Sequence, residues 1–300
     1  MNDQHNLRGT GVAIITPFDS KGSLDVNALT KLVNHLVSGQ VDTLVVLGTT
    51  GESVTLSKSE KYAILEQVSD VNAGRCNLMM GVGGNDTHEV IEAIKESNFD
   101  GYSSILSVSP YYNKPTQEGI YRHYMAIAEA SPVPVVLYNV PGRTGSNVSA
   151  ETTLRLARDS GNIVGIKEAS GNFEQVMQIL RDRPKGFAVV SGDDALTLPI
   201  IACGGDGVIS VVANAFPAEF ASMVRFALNE DLLPSRGLHF SLLEFTRLIF
   251  SEGNPAGIKA ALKVLGICED HVRLPLVSAS ERLVEAIRKE VMQIQQEQPV

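Results

Sequence analysis

The sequence predicts an α/β fold, a (β/α)8 TIM barrel with a C-terminal all-helical extension. Short apolar segments alternate with amphipathic helical patterns from residue 12 to about residue 228, which is typical of successive βαβ units and a parallel sheet. Eight such segments fit a closed barrel of roughly 250 residues, and a doubly wound sheet is the alternative. From about residue 231 the pattern is helical only, so we divide the chain into a barrel at 1–228 and a helical domain at 229–300.

The predicted strands are mostly rich in Val, Ile or Leu, as a sheet buried on both faces requires. They lie at residues 12–16, 43–47, 77–81, 102–108, 133–139, 163–168, 187–192 and 207–210. The intervening helices carry capping signals, for example the S-x-x-E pattern of Ser57 and Glu60. C-terminal helices are predicted at about 232–251, 257–265 and 278–294.

Composition argues against several classes of function. The net charge of −9 and the pI near 5.2 argue against nucleic acid or an anionic membrane as partner, because both attract basic surfaces. No apolar run approaches the ~20 residues that span a bilayer, and the N-terminus lacks a signal-peptide pattern. The three cysteines are odd in number and far apart, which is typical of buried thiols in a reducing compartment and indicates a cytoplasmic protein.

Polar residues follow the second, fourth and fifth strands, at the end of a barrel where active sites lie. The segment GTTGES at 48–53 suits a carboxylate or phosphate, although a plain tight turn is an equal alternative. In SPYYNKP at 109–115, Tyr111 and Tyr112 are typical of an interface anchor. In YNVPGRT at 138–144, Tyr138 suits proton transfer and Arg143 suits a carboxylate; a capping tyrosine and a surface arginine are the alternative.

The sixth strand carries the most informative residue, because lysine is rare in an apolar strand unless it is paired or functional. Lys167 lies in IVGIKEAS at 163–170 and shares a strand face with Gly165, which leaves room for a long side chain. Burial disfavours the ammonium form and frees the amine to attack a ketone. This pattern predicts a Schiff-base lysine, with a structural salt bridge as the alternative.

The seventh and eighth strands adjoin glycine-rich segments, SGDD at 191–194 and GGDGVIS at 204–210. These glycines suit a phosphate site or the close approach of backbone to a small substrate. No full G-x-G-x-x-G follows the first strand, no P-loop occurs, and the histidines and cysteines lack metal-binding spacing. We therefore expect no cofactor and no metal.

Together these segments resemble the dihydrodipicolinate synthase family, the 4-hydroxy-tetrahydrodipicolinate synthases of the pyruvate-dependent aldolase and N-acetylneuraminate lyase superfamily. The resemblance covers nearly the whole chain and rests on GTTGES at 48–53, PYYN at 110–113, YNVPGRTG at 138–145 and GIKEA at 165–169, in the family's order. It implies that Lys167 condenses with pyruvate and that the resulting enamine attacks the aldehyde of L-aspartate 4-semialdehyde, in the diaminopimelate route to lysine.

The resemblance also implies roles for the residues that match these motifs. The catalytic residues would be Lys167 and a proton relay of Thr49, Tyr112 and Tyr138. In the family the relay tyrosine of the strand-four loop crosses into a neighbouring subunit. This implies a homo-oligomer, usually a homotetramer made of two tight dimers.

The same resemblance assigns the substrate contacts. Thr50 would hold the pyruvate carboxylate and Arg143 the semialdehyde carboxylate. The backbone around Gly192 and Ile209 would help to shape the pocket. The expected partners are therefore these two small molecules and other copies of the chain.

The allosteric lysine site of the family maps near four residues, Ser53, Asn85, Glu89 and Tyr111. Here the sequence departs from the family pattern, because Lys58 and Lys61 stand where lysine-sensitive bacterial members carry histidines. Two cations facing a cationic effector weaken its binding, so we expect weak or absent feedback inhibition by lysine.

Two alternatives remain at the level of sequence. A sibling aldolase acting on N-acetylneuraminate or a 2-keto-3-deoxy sugar acid would share Lys167, Tyr138 and the threonine-rich loop. Arg143 distinguishes the two, because a carboxylate-bearing aldehyde requires a cation there and a polyhydroxylated substrate requires neutral groups. A catalytically silent binding barrel is the more distant alternative, and the lysine, tyrosines and threonine argue against it.

Overall fold

The computed structural model describes residues 7–297 and forms a closed barrel of eight parallel strands. The strands are β1 (Gly9–Ala13), β2 (Thr43–Val46), β3 (Asn77–Gly81), β4 (Tyr102–Val108), β5 (Val135–Asn139), β6 (Ile163–Glu168), β7 (Ala188–Ser191) and β8 (Gly207–Ser210). Each pairs with the next strand along the chain, and β8 closes onto β1. The predicted barrel is confirmed, and the doubly wound sheet is excluded.

Helices surround the barrel and continue beyond it. They are α1 (Val26–Ser38), α2 (Lys58–Asn72), α3 (Thr87–Glu96), α4 (Gln117–Ala130), α5 (Pro141–Thr144), α6 (Ala150–Asp159), α7 (Phe173–Asp182), α8 (Thr197–Ala202), α9 (Pro217–Leu228), α10 (Leu232–Ser241), α11 (Leu243–Phe250), α12 (Ala256–Val264) and α13 (Glu281–Glu297). The capping box is confirmed at α2, where the Ser57 hydroxyl accepts from the Glu60 N–H and the Glu60 carboxylate accepts from the Ser57 N–H.

Element boundaries differ from the sequence prediction by up to three residues, one predicted helix is divided, and two of these differences have a structural reason. The first strand is Gly9–Ala13 rather than 12–16, because its start is made of glycines that an apolar pattern does not mark. A Cβ at Gly207 would lie 2.0 Å from the Gly9 carbonyl oxygen, so closure of the barrel requires glycine there. The helix predicted at 232–251 is divided at Leu242, which ends α10 at φ −96° and ψ −4°.

The apolar core has two layers. The larger layer lies between the barrel and its helices. A smaller cluster fills the barrel interior and includes Val45, Leu106, Val136, Tyr138 and Val190. This division follows from the two-residue period of the strands, which sends alternate side chains inward and outward.

A buried ion pair joins the C-terminal helices to the barrel. Lys259 on α12 lies 2.5 Å from the Glu52 carboxylate, and the two side chains are 0% and 1% exposed. The Lys259 ammonium also donates to the His271 carbonyl at 2.8 Å, and the Arg273 N–H donates to Glu52 at 2.9 Å. The Phe18 ring lies 4.3 Å from the cationic groups of both Lys259 and Arg273.

The division of the chain into a barrel domain at 1–228 and a helical domain at 229–300 stays a prediction.

The cysteines of the chain are free, but their burial differs from the expectation. Cys268 is buried and Cys76 is half-buried, whereas Cys203 is exposed just after α8. The expectation of a buried thiol was therefore wrong for Cys203, which lies in the turn between α8 and β8.

Among residues 7–297, no helix combines the length and the apolar character needed to cross a membrane.

Removing the cation of the buried pair tests how strongly it holds the fold. We expect Lys259→Met to lower the free energy of unfolding by about 3–5 kcal/mol, because the Glu52 charge would stay buried without its partner. Urea unfolding followed by circular dichroism measures this. Lys263→Met is the matched control, since Lys263 lies on the same helix with a side chain 45% exposed, and its surface pairs are worth about 0–1 kcal/mol. Equal losses in the two variants would contradict the interpretation.

Candidate active site

Lys167 is buried inside the barrel at the carboxyl end of β6. Its register partners are Tyr138 on β5 and Val190 on β7, both members of the interior cluster. The Nζ atom of Lys167 lies 4.3 Å from the centroid of the Tyr138 ring. Within residues 7–297 no carboxylate forms an ion pair with Lys167, so the alternative of a structural salt bridge finds no partner in the structure.

The space for the Lys167 side chain comes from Gly192 on the neighbouring loop. A Cβ at Gly192 would lie 2.9 Å from Cε and 3.1 Å from Cγ of Lys167. The sequence predicts that Gly165 leaves room for Lys167. A Cβ at Gly165 would instead meet the Ala188 carbonyl oxygen at 2.8 Å and the Leu7 side chain at 2.9 Å. Gly165 therefore admits Leu7 toward the amino end of the barrel, and Gly192 admits the lysine.

A cavity of about 880 Å³ opens above Lys167 at the carboxyl ends of the strands. It brings together six of the predicted site residues: Thr49, Thr50, Tyr138, Arg143, Lys167 and Gly192. This volume suits one or two small organic acids. The arrangement places a buried amine, a phenol, two hydroxyls and a guanidinium around one space.

The threonine loop is fixed from two sides. Thr49–Gly51 forms a short 3-10 turn directly after β2, with Thr49 exposed to the cavity and Thr50 buried. The Thr50 hydroxyl accepts from the Asn254 amide at 2.9 Å, and the Gly51 carbonyl accepts from the Thr16 hydroxyl at 2.7 Å. These bonds hold the two hydroxyls of the loop beside the cavity.

Arg143 differs from most charged residues of the structure because it has no intramolecular partner. It lies on the short helix α5, is exposed, and lines the cavity. Across the described part of the chain, its guanidinium forms no hydrogen bond or ion pair. A bidentate donor of this kind is available to a carboxylate ligand.

Two predicted residues lie outside the cavity lining. Tyr112 is 88% exposed, adopts a left-handed φ of 72° and does not line the cavity. Ile209 is buried in the interior cluster below the cavity. One chain alone therefore does not bring Tyr112 into the cavity, and the role of the backbone around Ile209 stays a prediction.

The residues mapped to the effector site are only partly in contact. The Asn85 amide donates to the Tyr111 carbonyl at 3.2 Å, and both residues are half-buried. Ser53 is half-buried and Glu89 is exposed, and within the described residues no side-chain hydrogen bond joins either one to this pair. Nearby, Lys58 forms an ion pair with Glu96 at 2.7 Å, which raises the pKa of Lys58.

A polar network on the outer face of the barrel supports the site. Asn139 and Glu168 are register partners, one step beyond Tyr138 and Lys167. The Glu168 carboxylate accepts from the Asn139 amide at 3.0 Å, from the Gln175 amide at 2.9 Å and from the Ser170 N–H at 2.7 Å. The network holds the ends of β5 and β6 together from behind, and sequence reasoning did not assign it.

A buried carboxyl lies between the ends of β7 and β8. Asp194 accepts hydrogen bonds from the Ser210 hydroxyl and from the Val211 N–H. Burial raises the pKa of Asp194 to about 6, against the opposing effect of these donors. Sequence reasoning placed Asp194 only within a glycine-rich segment.

The C-terminal helices also line the cavity, which the sequence analysis did not predict. Their contribution to the wall is Leu243, Glu244, Thr246, Arg247, Phe250, Ser251 and Asn254. The sequence does contain one signal that these helices pack on the barrel: Lys259 lies between Ile258 and Ala260 in an apolar helix and so requires a buried partner.

Among residues 7–297, no group of three or more His, Cys, Asp or Glu side chains is arranged to hold a metal ion.

Adding a methyl group at Gly192 tests whether the site depends on space for the amine. We expect Gly192→Ala to lower the rate of imine formation with a 2-keto acid by about 100-fold, because the new Cβ displaces the Lys167 side chain. Borohydride trapping followed by mass spectrometry measures the rate. Gly161→Ala is the control, since nothing lies within 4 Å of a Cβ at Gly161. An unchanged trapping rate in Gly192→Ala would refute the steric argument.

Comparison with known proteins places the chain in a family. Residues 6–294 match the dihydrodipicolinate synthetase family. The 4-hydroxy-tetrahydrodipicolinate synthase of Flavobacterium psychrophilum is 52% identical over 275 residues, which cover 92% of this chain and 94% of that protein. The crystal structure of the dihydrodipicolinate synthase from Thermotoga maritima superposes with a TM-score of 0.95 at 40% identity, covering 97% of this chain and 99% of that one.

A second solved structure adds a ligand-bound relative. The dihydrodipicolinate synthase from Cyanidioschyzon merolae with lysine bound has a TM-score of 0.93 at 40% identity, covering 97% of this chain and 99% of that one. Sequence identity at this level over nearly the full length, together with the geometry around Lys167, settles the relationship. This chain belongs to the dihydrodipicolinate synthetase family.

Proposed function

We propose that this chain is a 4-hydroxy-tetrahydrodipicolinate synthase that joins pyruvate to L-aspartate 4-semialdehyde through a Schiff base on Lys167. The observation that carries the proposal is that Lys167 is buried at the cavity without a carboxylate partner among residues 7–297. The same cavity presents Arg143, whose side chain has no partner in that part of the chain. The family relationship supports the same chemistry. Arg143 favours a carboxylate-bearing aldehyde over the polyhydroxylated substrates of sibling aldolases.

The reaction follows from the amine and the two substrates. The Lys167 nitrogen attacks the ketone carbon of pyruvate, and loss of water gives an imine. Loss of a proton from the pyruvate methyl group gives an enamine, whose carbon attacks the aldehyde carbon of the semialdehyde. The α-ammonium group of the adduct then loses a proton and attacks the imine carbon as the neutral amine, which closes the ring. The Lys167 nitrogen takes up a proton as it leaves. One molecule of water is formed per turnover.

The surrounding side chains divide the remaining tasks. Tyr138, beside the Lys167 nitrogen, and Thr49, exposed in the cavity, would carry protons. Thr50 would hold the pyruvate carboxylate and Arg143 that of the semialdehyde. The backbone at Gly192 and Ile209 would shape the floor of the pocket.

The exposed Tyr112 supports the proposal of an oligomer. A tyrosine that is 88% exposed, held in a left-handed conformation and absent from its own cavity, suits a role in the site of a neighbouring copy. We accordingly propose a homotetramer built from two tight dimers, in which Tyr112 completes the partner's proton relay. We also propose a cytoplasmic location, which the free cysteines support.

Replacement of the amine is the direct test of the proposed function. The parent protein is expected to consume pyruvate with L-aspartate 4-semialdehyde and to gain the mass of reduced pyruvate after borohydride treatment. Lys167→Met is expected to lose both properties, because Lys167 is the only lysine among residues 7–297 that lines the cavity. The control is Lys185→Met, since Lys185 is exposed on the outer surface. Parental turnover by Lys167→Met would sink the proposal, and faster cleavage of sugar keto acids would favour a sibling aldolase.

A lysine titration tests the proposed weakness of the effector site. We expect little inhibition of the parent enzyme by lysine, because Lys58 and Lys61 oppose a cationic effector; the ion pair of Lys58 with Glu96 reduces that opposition without removing it. The double variant Lys58→Ala with Lys61→Ala is expected to be inhibited at lower lysine concentration. Lys95→Ala, on α3, serves as the control. Strong inhibition of the parent at low concentration would contradict the prediction.

A further inference from the structure

We propose that Glu244 on α11, held in place by Arg247, binds the α-ammonium group of the aldehyde substrate and so selects amino aldehydes. This inference rests on the proposed function, and it names a specificity residue in a part of the chain outside the barrel strands and their loops. Glu244 and Arg247 line the same cavity as Lys167 and Arg143.

The charges around the cavity leave one suitable site for an ammonium group. Among the described residues, five charged ones line it: Arg143, Lys167, Asp193, Glu244 and Arg247. The two carboxylates differ in their surroundings. Asp193 is half-buried next to Gly192, and its carboxylate accepts from the Ala195 N–H at 3.0 Å as the cap of a short turn. Glu244 lies at the rim with its side chain 51% exposed, and its partner is another side chain of the cavity.

The pair is arranged as a preorganised acceptor. The Arg247 guanidinium donates to both oxygens of Glu244, at 2.8 Å and 2.6 Å, from one turn further along α11. A carboxylate has about four lone-pair positions, so a bidentate arginine leaves two for another donor. The same bonds lower the pKa of Glu244, which keeps its carboxylate ionised at neutral pH.

The chemistry of the aldehyde requires a cation and an anion together. Its carboxylate and its ammonium group are attached to one carbon atom, two bonds from the aldehyde carbon. Arg143, exposed and without a partner in the described chain, suits the carboxylate, and Glu244 suits the ammonium group. Arg247 is already paired, so it acts as a positioning residue. An aldehyde without the amino group leaves Glu244 without a ligand and loses this attraction.

A comparison of two aldehydes tests the inference. We would measure pyruvate consumption by the parent and by Glu244→Gln, with L-aspartate 4-semialdehyde and with succinate semialdehyde, which has the same chain and carboxylate without the amine. The adduct of succinate semialdehyde leaves Lys167 by hydrolysis of the imine, so kcat/KM compares the two aldehydes up to formation of the carbon–carbon bond. In Glu244→Gln, kcat/KM for the amino aldehyde is expected to fall about 10-fold to 100-fold, as for loss of a charge-assisted hydrogen bond. For succinate semialdehyde, kcat/KM is expected to change less than about twofold, since that substrate makes no such bond.

Controls separate a binding role from a structural one. The KM for pyruvate and the borohydride trapping of pyruvate are expected to stay at parental values in Glu244→Gln, because both report on Lys167. Glu285→Gln removes a similar helical pair, with Arg288 at 3.7 Å on α13, away from the cavity, and is expected to leave both aldehydes unaffected. Arg247→Gln is expected to give a smaller loss that is again confined to the amino aldehyde.

Three kinds of result would overturn the inference, and the third of them also overturns the proposed function. Equal losses for both aldehydes would show that Glu244 only supports the fold, and no loss for either would show that it touches neither substrate. If the parent itself traps pyruvate but does not consume the amino aldehyde, the proposed function fails and the inference fails with it. If the parent consumes the amino aldehyde and Glu244→Gln keeps the parental preference, only the inference fails.

Discussion

The site depends on one steric constraint, the fit of a lysine side chain inside the barrel. Lys167 occupies an interior position that an apolar residue would otherwise fill, between Tyr138 and Val190, and the absence of a side chain at Gly192 makes room for it. A lysine is rarely buried among apolar side chains, because burial of its polar group costs free energy. Such a residue is found where it is paired or has a function. The outward-facing bonds between Asn139 and Glu168 keep the strands on this side in register, so the amine and the phenol stay adjacent.

The C-terminal helices contribute to the site as well as to the fold. The Glu52–Lys259 pair connects α12 to the loop that carries the two threonines, and Asn254 bonds directly to Thr50. A buried ion pair contributes little net stability compared with apolar packing, but loss of one partner is costly. The pair therefore sets the position of the threonine loop relative to α12, and α11 supplies a further part of the cavity wall.

Local patterns in the sequence predicted the barrel and most of its strands, because an apolar run between turn signals is a local property. The same patterns picked out the lysine of β6, because a charge in such a run is conspicuous. The local patterns misplaced β1, because glycines at the start of this strand carry no apolar signal. They also assigned the space for Lys167 to Gly165 instead of Gly192. The role of Gly192 and the wall formed by Glu244 and Arg247 depend on contacts between distant segments, which no local pattern records.

The buried carboxyl at the ends of β7 and β8 gives this protein an unusual response to acid. Asp194 has a pKa of about 6 in the fold, above its ordinary value of 3.8, so the folded chain binds the extra proton first. Its contribution to stability is complete below about pH 3.8 and disappears as the pH rises through 6. Glu60 behaves oppositely, because Arg273 lowers its pKa from 4.5 to about 2, and its contribution is lost as the pH falls through that range. Mild acidification therefore protonates Asp194 and removes a buried charge at the mouth of the barrel. Only stronger acid protonates Glu60 and weakens its ion pair with Arg273 in the C-terminal segment.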